Sequence, residues 1–204
     1  MSPDWGFDDR TSRQTGRAVI GVDEVGRGPL FGPVVAAAVQ IPHAARPALA
    51  GLGIDDSKRV SPARRTRIFR ALLDHAHIGI GAACAGEIDA VGIGVATMLA
   101  MKRALRAFAD EAGVALIDGR FCPPGLRQPS QAVIGGDRQS MAIASASIIA
   151  KVARDRSLGN FARFWPDYSL QQNKGYPTAA HRQALKVFGL TPAHRRSFRC
   201  GISA

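Results

Sequence analysis

IGVDEVGRGPLFGPVV, residues 20–35, decides how the rest of the chain is read. An apolar run meets two adjacent acids, Asp23 and Glu24, and then a turn containing Gly26, Arg27, Gly28, Pro29, Gly32 and Pro33. A second apolar run follows at once. Apolar β-branched runs separated by Gly and Pro read as two strands joined by a tight reversal. A strand that ends in two carboxylates is costly unless something cationic sits there. Neighbouring side chains on a strand point to opposite faces, so the pair straddles the sheet edge unless the strand is already ending.

Outward from this stretch, 17–23 and 34–41 are expected strands. Residues 42–61 are broken by Pro and Gly and read as loop. Ser61 followed by Pro62 is a good helix start, because Ser caps and Pro suits the first helical position. That helix is expected to reach 75, followed by a strand over 78–85, an irregular stretch over 86–94 and a long helix over 95–111. A short apolar run at 114–118 again ends in an acid, Asp118. A strand at 131–134 leads through Gly135 and Gly136 to Asp137 and a helix over 142–164. Residues 165–177 read as loop, 178–188 as a final helix and 191–204 as a basic tail. Strands and helices intermix without repeats, which implies an α/β fold with one mixed central β-sheet flanked by helices. Residues 1–16 are expected to be a flexible N-terminal tail and 17–204 a single domain.

The chain of 204 residues carries 27 Lys and Arg against 16 Asp and Glu, a net charge of +11 that suits a polyanion, nucleic acid first. Cys84, Cys122 and Cys200 are too far apart for a disulfide framework or zinc knuckle, and a cytoplasmic, reducing setting is expected. No signal peptide or membrane span is read, and no membrane partner is expected. Position 31 is Phe where a dinucleotide fingerprint needs Gly. The five histidines, including His181 and His194, lack metal-ligand spacing.

With acids so scarce, their placement at element ends matters. Asp23, Glu24, Asp118 and Asp137 can converge although distant in sequence, and crowded carboxylates call for a bound cation. Mg²⁺ prefers such oxygens, and a metal pair suits phosphodiester hydrolysis. Asp118 equally suits the start of a turn, and Asp137 a helix cap. The Gly26-Arg27-Gly28 turn lets a backbone approach a sugar hydroxyl or phosphate, or is simply a hairpin turn. Ser57, Lys58 and several arginines suit phosphates or a solvated basic face. Lys151, in the apolar helix stretch SASIIAKVARD, suits a phosphate contact or is a snorkelling side chain, and Asp155 reads as a local ion-pair partner of Arg154 and Arg156. Tyr176, beside Lys174, suits stacking on a sugar or base, or plain exposure.

Taken in order, GVDEVGRGPLFGPVVAAAV, DDSKRVSPARR, IDGR, GGD, SASIIAKVARDR, NKGYPTAAHRQAL and LTPAHRRSF resemble the signature blocks of the bacterial ribonuclease HII family, over about residues 19–199. The resemblance implies a ribonuclease H-like fold with a small helical C-terminal part. It implies four metal-binding catalytic acids at Asp23, Glu24, Asp118 and Asp137, holding Mg²⁺ or Mn²⁺. It also implies a 2′-hydroxyl reader made of Gly26, Arg27, Gly28 and Tyr176, with Ser57 and Lys58 in the substrate-binding set. The implied activity is endonucleolytic cleavage 5′ to a ribonucleotide by metal-activated water, leaving 3′-hydroxyl and 5′-phosphate ends. Substrates would be RNA/DNA hybrids and single ribonucleotides embedded in duplex DNA, and the protein would act as a monomer. Three positions depart from the pattern: Arg120 stands where Asn is usual, and Arg138 and Gln139 where a small residue and Lys are. The competing readings are a junction resolvase-like nuclease of the same fold and a non-catalytic basic nucleic-acid-binding module.

Overall fold

A computed structural model describes residues 2–108 and 113–199. Its strands are β1 (Ala18–Val25), β2 (Val34–Gln40), β3 (His77–Ala83), β4 (Gly113–Asp118) and β5 (Ser130–Val133), ordered β3-β2-β1-β4-β5 in one sheet. The short glycine-rich link makes β1 and β2 antiparallel, and β3 continues that meander. β4 and β5 join on the other side of β1 in parallel, each reached through a longer connection.

Both faces of the sheet are covered, which is why β2 reads VVAAAVQ without alternation. Val34, Ala36 and Ala38 pack against Ala96, Ala100 and Ala104 of helix α4 (Ala85–Leu105), numbered after three earlier helices. Ala37 and Val39 face the opposite way, into a cluster with α3 (Pro62–His75) and α5 (Met141–Phe164). Ser61 caps α3 by accepting from the Arg64 amide, with Pro62 in its first turn. Small residues bring the helices onto the sheet backbone. A Cβ on Gly21 would overlap the Ala142 and Ile143 backbone at the start of α5. Gly21→Ala is therefore expected to destabilise the fold by about 3 kcal/mol or more. Gly159→Ala, at an open position in α5, is expected to stabilise by roughly 0.5–1 kcal/mol. Chemical denaturation of the two variants compares them directly, and equal midpoints would discount the close packing.

Several expectations need correction, among them the 165–177 loop, which contains a short helix over Leu170–Asn173. Residues 5–15 are helical rather than loose: α1 (Trp5–Thr15) is capped by the Asp4 carboxylate on the Gly6 amide and stopped by Gly16 at φ 66°. Its composition is polar, but buried Asp8 accepts from the Ala142 amide at 3.1 Å, tying α1 to the start of α5. The stretch 86–94 is the first part of α4, interrupted at Gly92 with φ 77° and ψ 156°. Glu87 builds that turn, accepting from the Cys84 amide at 2.9 Å and pairing with Arg103 at 2.6 Å. The helix ends at Leu105, followed by a tight turn over Arg106–Phe108, and the expected end at 111 lies outside the described residues. Within 42–61 there is a short α-helix, α2 (Arg46–Leu49), led in by a 3-10 turn over His43–Ala45.

The C-terminal part is a helical lobe of α6 (Leu170–Asn173) and α7 (Ala179–Phe188) on the far end of α5. Phe31, from the glycine-rich link, is its hub. The ring lies edge-on to Phe161, Trp165 and His194, with centroids 5.6, 5.7 and 4.8 Å away. The segment 191–199 is not a solvated tail, since His194 and Arg195 are almost completely buried. Among the described residues no helix is long and apolar enough to cross a membrane.

Candidate active site

The parallel strands β1, β4 and β5 end at one edge of the sheet, the edge where open α/β sheets bind ligands. Asp23 and Glu24 lie near the end of β1. Val22 pairs with Ile117, so Asp118 follows on the adjacent strand just beyond, level with Val133 of β5. Asp118 Oδ1 accepts from the Gly136 amide at 2.7 Å, which folds the turn after β5 back toward β4 and brings up Asp137. The four acids come from three element ends drawn to one side.

Their electrostatics show the crowding. Asp23, 6% exposed, is raised well above the usual carboxylate range, first by burial and then by Glu24 and Asp118. Hydrogen bonds from the Glu24 amide and Ser147 oppose this. Burial also raises Glu24 and Asp137, and Asp118 repels both. Cationic side chains partly compensate: Arg27 lies 3.3 Å from Glu24, and Arg138 4.0 Å from Asp137. Among the described residues no three His, Cys, Asp or Glu side chains already stand together as a ready metal site. The acids flank one region with arginines leaning on them. Hard oxygen donors held in costly proximity are the donor set a divalent cation of the Mg²⁺ kind prefers.

Asp23 and Glu24 do straddle the sheet. Asp23 reaches the α5 side, where Ser147 bonds to it. Glu24 opens on the α4 side into a groove of about 440 Å³, shared with Arg27, Thr97, Asp118, Arg120 and Phe121.

The turn after β1 is held from beneath by two wholly buried arginines. Arg195 donates to the Gly26, Arg27 and Gly32 carbonyls at 2.6, 2.9 and 2.9 Å. Arg154 donates to those of Pro33, Phe31 and Lys174 at 3.1, 3.0 and 3.0 Å. Gly26 is at φ 91°, and a Cβ there would overlap the Arg154 side chain. Burial lowers Arg195 to about 10, which leaves it charged at neutral pH. The second loop is joined to the first: the Leu30 amide donates to the Gly175 carbonyl at 2.8 Å. Tyr176, 46% exposed, therefore lies over Gly28, where an added Cβ would sit 3.6 Å from its ring. Gly26, Arg27, Gly28 and Tyr176 form one cradle beside the acids.

Ser57 and Lys58 divide. Ser57 is buried, with its hydroxyl 2.8 Å from that of Ser147, so it anchors its loop instead of facing solvent. Arg65 adds a hydrogen bond to the Ser57 carbonyl at 3.0 Å. Lys58 is exposed and near enough to Asp137 to lower its pKa. Lys151 pairs with Asp155 at 2.8 Å instead of snorkelling. Arg154, expected to pair locally with Asp155, turns to the carbonyls instead. Gln139 donates to the Ile134 carbonyl at 2.9 Å, bracing the turn that carries Asp137.

Three supporting residues escape a reading of the sequence: Arg154, Arg195 and the pair partner of His181, His194. Sequence offers little signal, because Arg154 stands among Lys151, Asp155 and Arg156 and reads as part of a charged helix face, although long charged side chains are seldom fully buried unless satisfied.

A sequence model of the family described as Ribonuclease HII matches residues 20–200. The chain is 52% identical to the ribonuclease HII of Granulibacter bethesdensis, covering 94% of this chain and 88% of that one. It is 46% identical to that of Ruegeria pomeroyi, covering 97% and 82%. Among solved structures, the ribonuclease HII of Archaeoglobus fulgidus, in complex with PCNA, superposes with a TM-score of 0.73 at 23% identity, covering 89% of this chain and 95% of that one. Bst-RNase HIII in complex with Mn²⁺ superposes with a TM-score of 0.77 at 18% identity, covering 95% and 71%. At such identities these structures speak for the fold.

Proposed function

Because this chain belongs to the ribonuclease HII family and is thus a ribonuclease H, we propose that it cuts the phosphodiester 5′ to a ribonucleotide, in RNA/DNA hybrids and at single ribonucleotides in duplex DNA, with Mg²⁺ or Mn²⁺. The observation that supports this reading is the placing of four acids at neighbouring element ends along one sheet edge, where Asp118 acts on Asp23, Glu24 and Asp137, beside the cradle of Gly26, Arg27, Gly28 and Tyr176.

Asp23, Glu24, Asp118 and Asp137 would hold the metal, and their crowding favours a bound cation over mutual repulsion. Divalent ions, when bound, supply activation of water and stabilisation of the leaving oxygen. The residues themselves orient the substrate. The Gly26–Gly28 backbone can approach a ribose closely, and the Tyr176 ring lies over it, an arrangement suited to testing for a 2′-hydroxyl, the group that separates RNA from DNA. Arg27, Lys58 and Arg138 border the acids and meet phosphates, while Ser57 holds the Lys58 loop in place. Net charge of +11 gathers the duplex, so binding weakens as salt rises. The protein acts as a monomer in a reducing cytoplasm in this reading.

Cleavage mapping on a duplex with one embedded ribonucleotide tests it. The expected product is a single cut 5′ to the ribonucleotide, with 3′-hydroxyl and 5′-phosphate ends, abolished by EDTA and absent on all-DNA duplex. Equal cutting of all-DNA substrate would favour a resolvase-like nuclease. Chelator-insensitive binding without product would favour a non-catalytic module.

A further inference from the structure

The cradle is braced by two buried ionisable side chains that the reaction leaves without a task. His181 on α7 and His194 beyond it are 0% and 1% exposed, with Nε2 atoms 3.1 Å apart. The Thr191 amide donates to His194 Nδ1 at 3.0 Å, and the Thr191 hydroxyl converges on the same nitrogen at 2.9 Å. His194 Nδ1 must therefore be the bare nitrogen and Nε2 the protonated one. That proton is given to His181 Nε2, so His181 carries its own on Nδ1. From there it donates to the Tyr176 carbonyl at 2.9 Å. One assignment satisfies every partner: two neutral rings in opposite tautomers. Protonating either ring sets two N–H groups against each other.

The surroundings keep both neutral. Phe31 lies edge-on to His194, and the Tyr168 ring is 5.0 Å from His194 and 6.1 Å from His181. Burial lowers His181, and burial and then His181 lower His194 to about 4.

The residues flanking His194 hold the other half of the cradle. The Ala193 carbonyl accepts from the Gly32 amide, and the Arg195 amide donates to the Leu30 carbonyl, each at 2.8 Å. The Arg195 guanidinium reaches Gly26 and Arg27. Residues 193–195 thus grip the glycine turn directly and the tyrosine loop through the histidine pair.

We propose that His181 and His194 are positioning residues for ribonucleotide recognition, which set the Tyr176 ring against the Gly26–Arg27–Gly28 turn through the Tyr176 carbonyl. This rests on the reading that Tyr176 senses the 2′-hydroxyl.

A double-mutant cycle with Tyr176→Ala tests it, using steady-state cleavage of the single-ribonucleotide duplex well below each variant's unfolding temperature. His194→Phe keeps an aromatic ring and loses both nitrogens. It is expected to lower kcat/KM on the order of tenfold to a hundredfold in the parent background, and to cost nothing further once Tyr176 is Ala. His181→Asn, whose amide can replace the Nδ1–H donor, is expected to retain most of what His181→Leu loses. That comparison carries the same test if His194→Phe does not fold. Equal losses in both backgrounds, or His181→Asn as poor as His181→Leu, would overturn the positioning role while leaving Tyr176 as the sensor. A fully active Tyr176→Ala would instead remove the tyrosine reading, and the histidine role with it.

Discussion

Asp23→Asn lowers cleavage of a duplex carrying one ribonucleotide on the order of a thousandfold or more, while duplex binding persists and the fold gains stability. The first effect follows from the position of Asp23 among the acids, where burial and two neighbouring carboxylates, Glu24 and Asp118, act on it at once. Asn keeps the shape but supplies no charge to hold a cation. The second effect follows because the phosphate contacts belong to other residues, Arg27, Lys58 and Arg138 among them. The third has a definite sign. A carboxyl whose folded pKa is raised loses stability as pH climbs from its unfolded value through its folded one. At neutral pH the parent bears that cost without a cation, and the variant does not. Kinetics with Mg²⁺, duplex binding in EDTA and thermal unfolding in EDTA check the three parts. Parental turnover in the variant would remove Asp23 from the reaction, and a lower unfolding temperature would show that its charge supports the fold.

Arg195→Leu unfolds far more easily than the parent, by about 3–5 kcal/mol, which for a chain of this size lowers the midpoint by roughly 10 °C or more. Three carbonyls, those of Gly26 and Gly32 in buried bonds and that of Arg27 in a part-buried one, lose the fork that serves them. The cost is that of leaving acceptors unpaired, and no apolar side chain can repay it. Arg195→Lys recovers little, since a single ammonium cannot span three divergent carbonyls as a planar guanidinium does. Arg138→Ala, at an exposed side chain, stays within about 0.5 kcal/mol of the parent. Urea unfolding of the four proteins makes the comparison. A midpoint for Arg195→Leu near that of Arg138→Ala would show that the glycine turn holds itself.

The β1–β2 reversal, the start of α3 and the acid-ended run at β4 were legible because each is written in local chemistry: apolar runs, Ser-Pro before a helix, glycines at a turn. The ordered motifs by themselves carry the resemblance to the family. The N-terminal helix was not legible. Its residues are polar, and its anchor is Asp8 reaching the first turn of α5, more than a hundred positions away. The opening of α4 was misread because its glycines suggested irregular chain throughout, whereas only Gly92 interrupts the helix and Glu87 is held across that break by Arg103, 16 residues on. Ser57 looked like a phosphate contact until the fold turned it inward onto Ser147.

By itself the sequence determined the order of the five strands and of the longer helices after the first strand, the mixed sheet, the excess of positive charge and the four acids at element ends, since periodicity and composition record burial and charge residue by residue. Tertiary structure alone decided that Arg154 and Arg195 lie beneath the glycine turn, that His181 meets His194, and that arginines lean on the acids. Those are pairings between distant segments, where one buried polar atom is tolerated only because another arrives to satisfy it. No local pattern states which partner that will be.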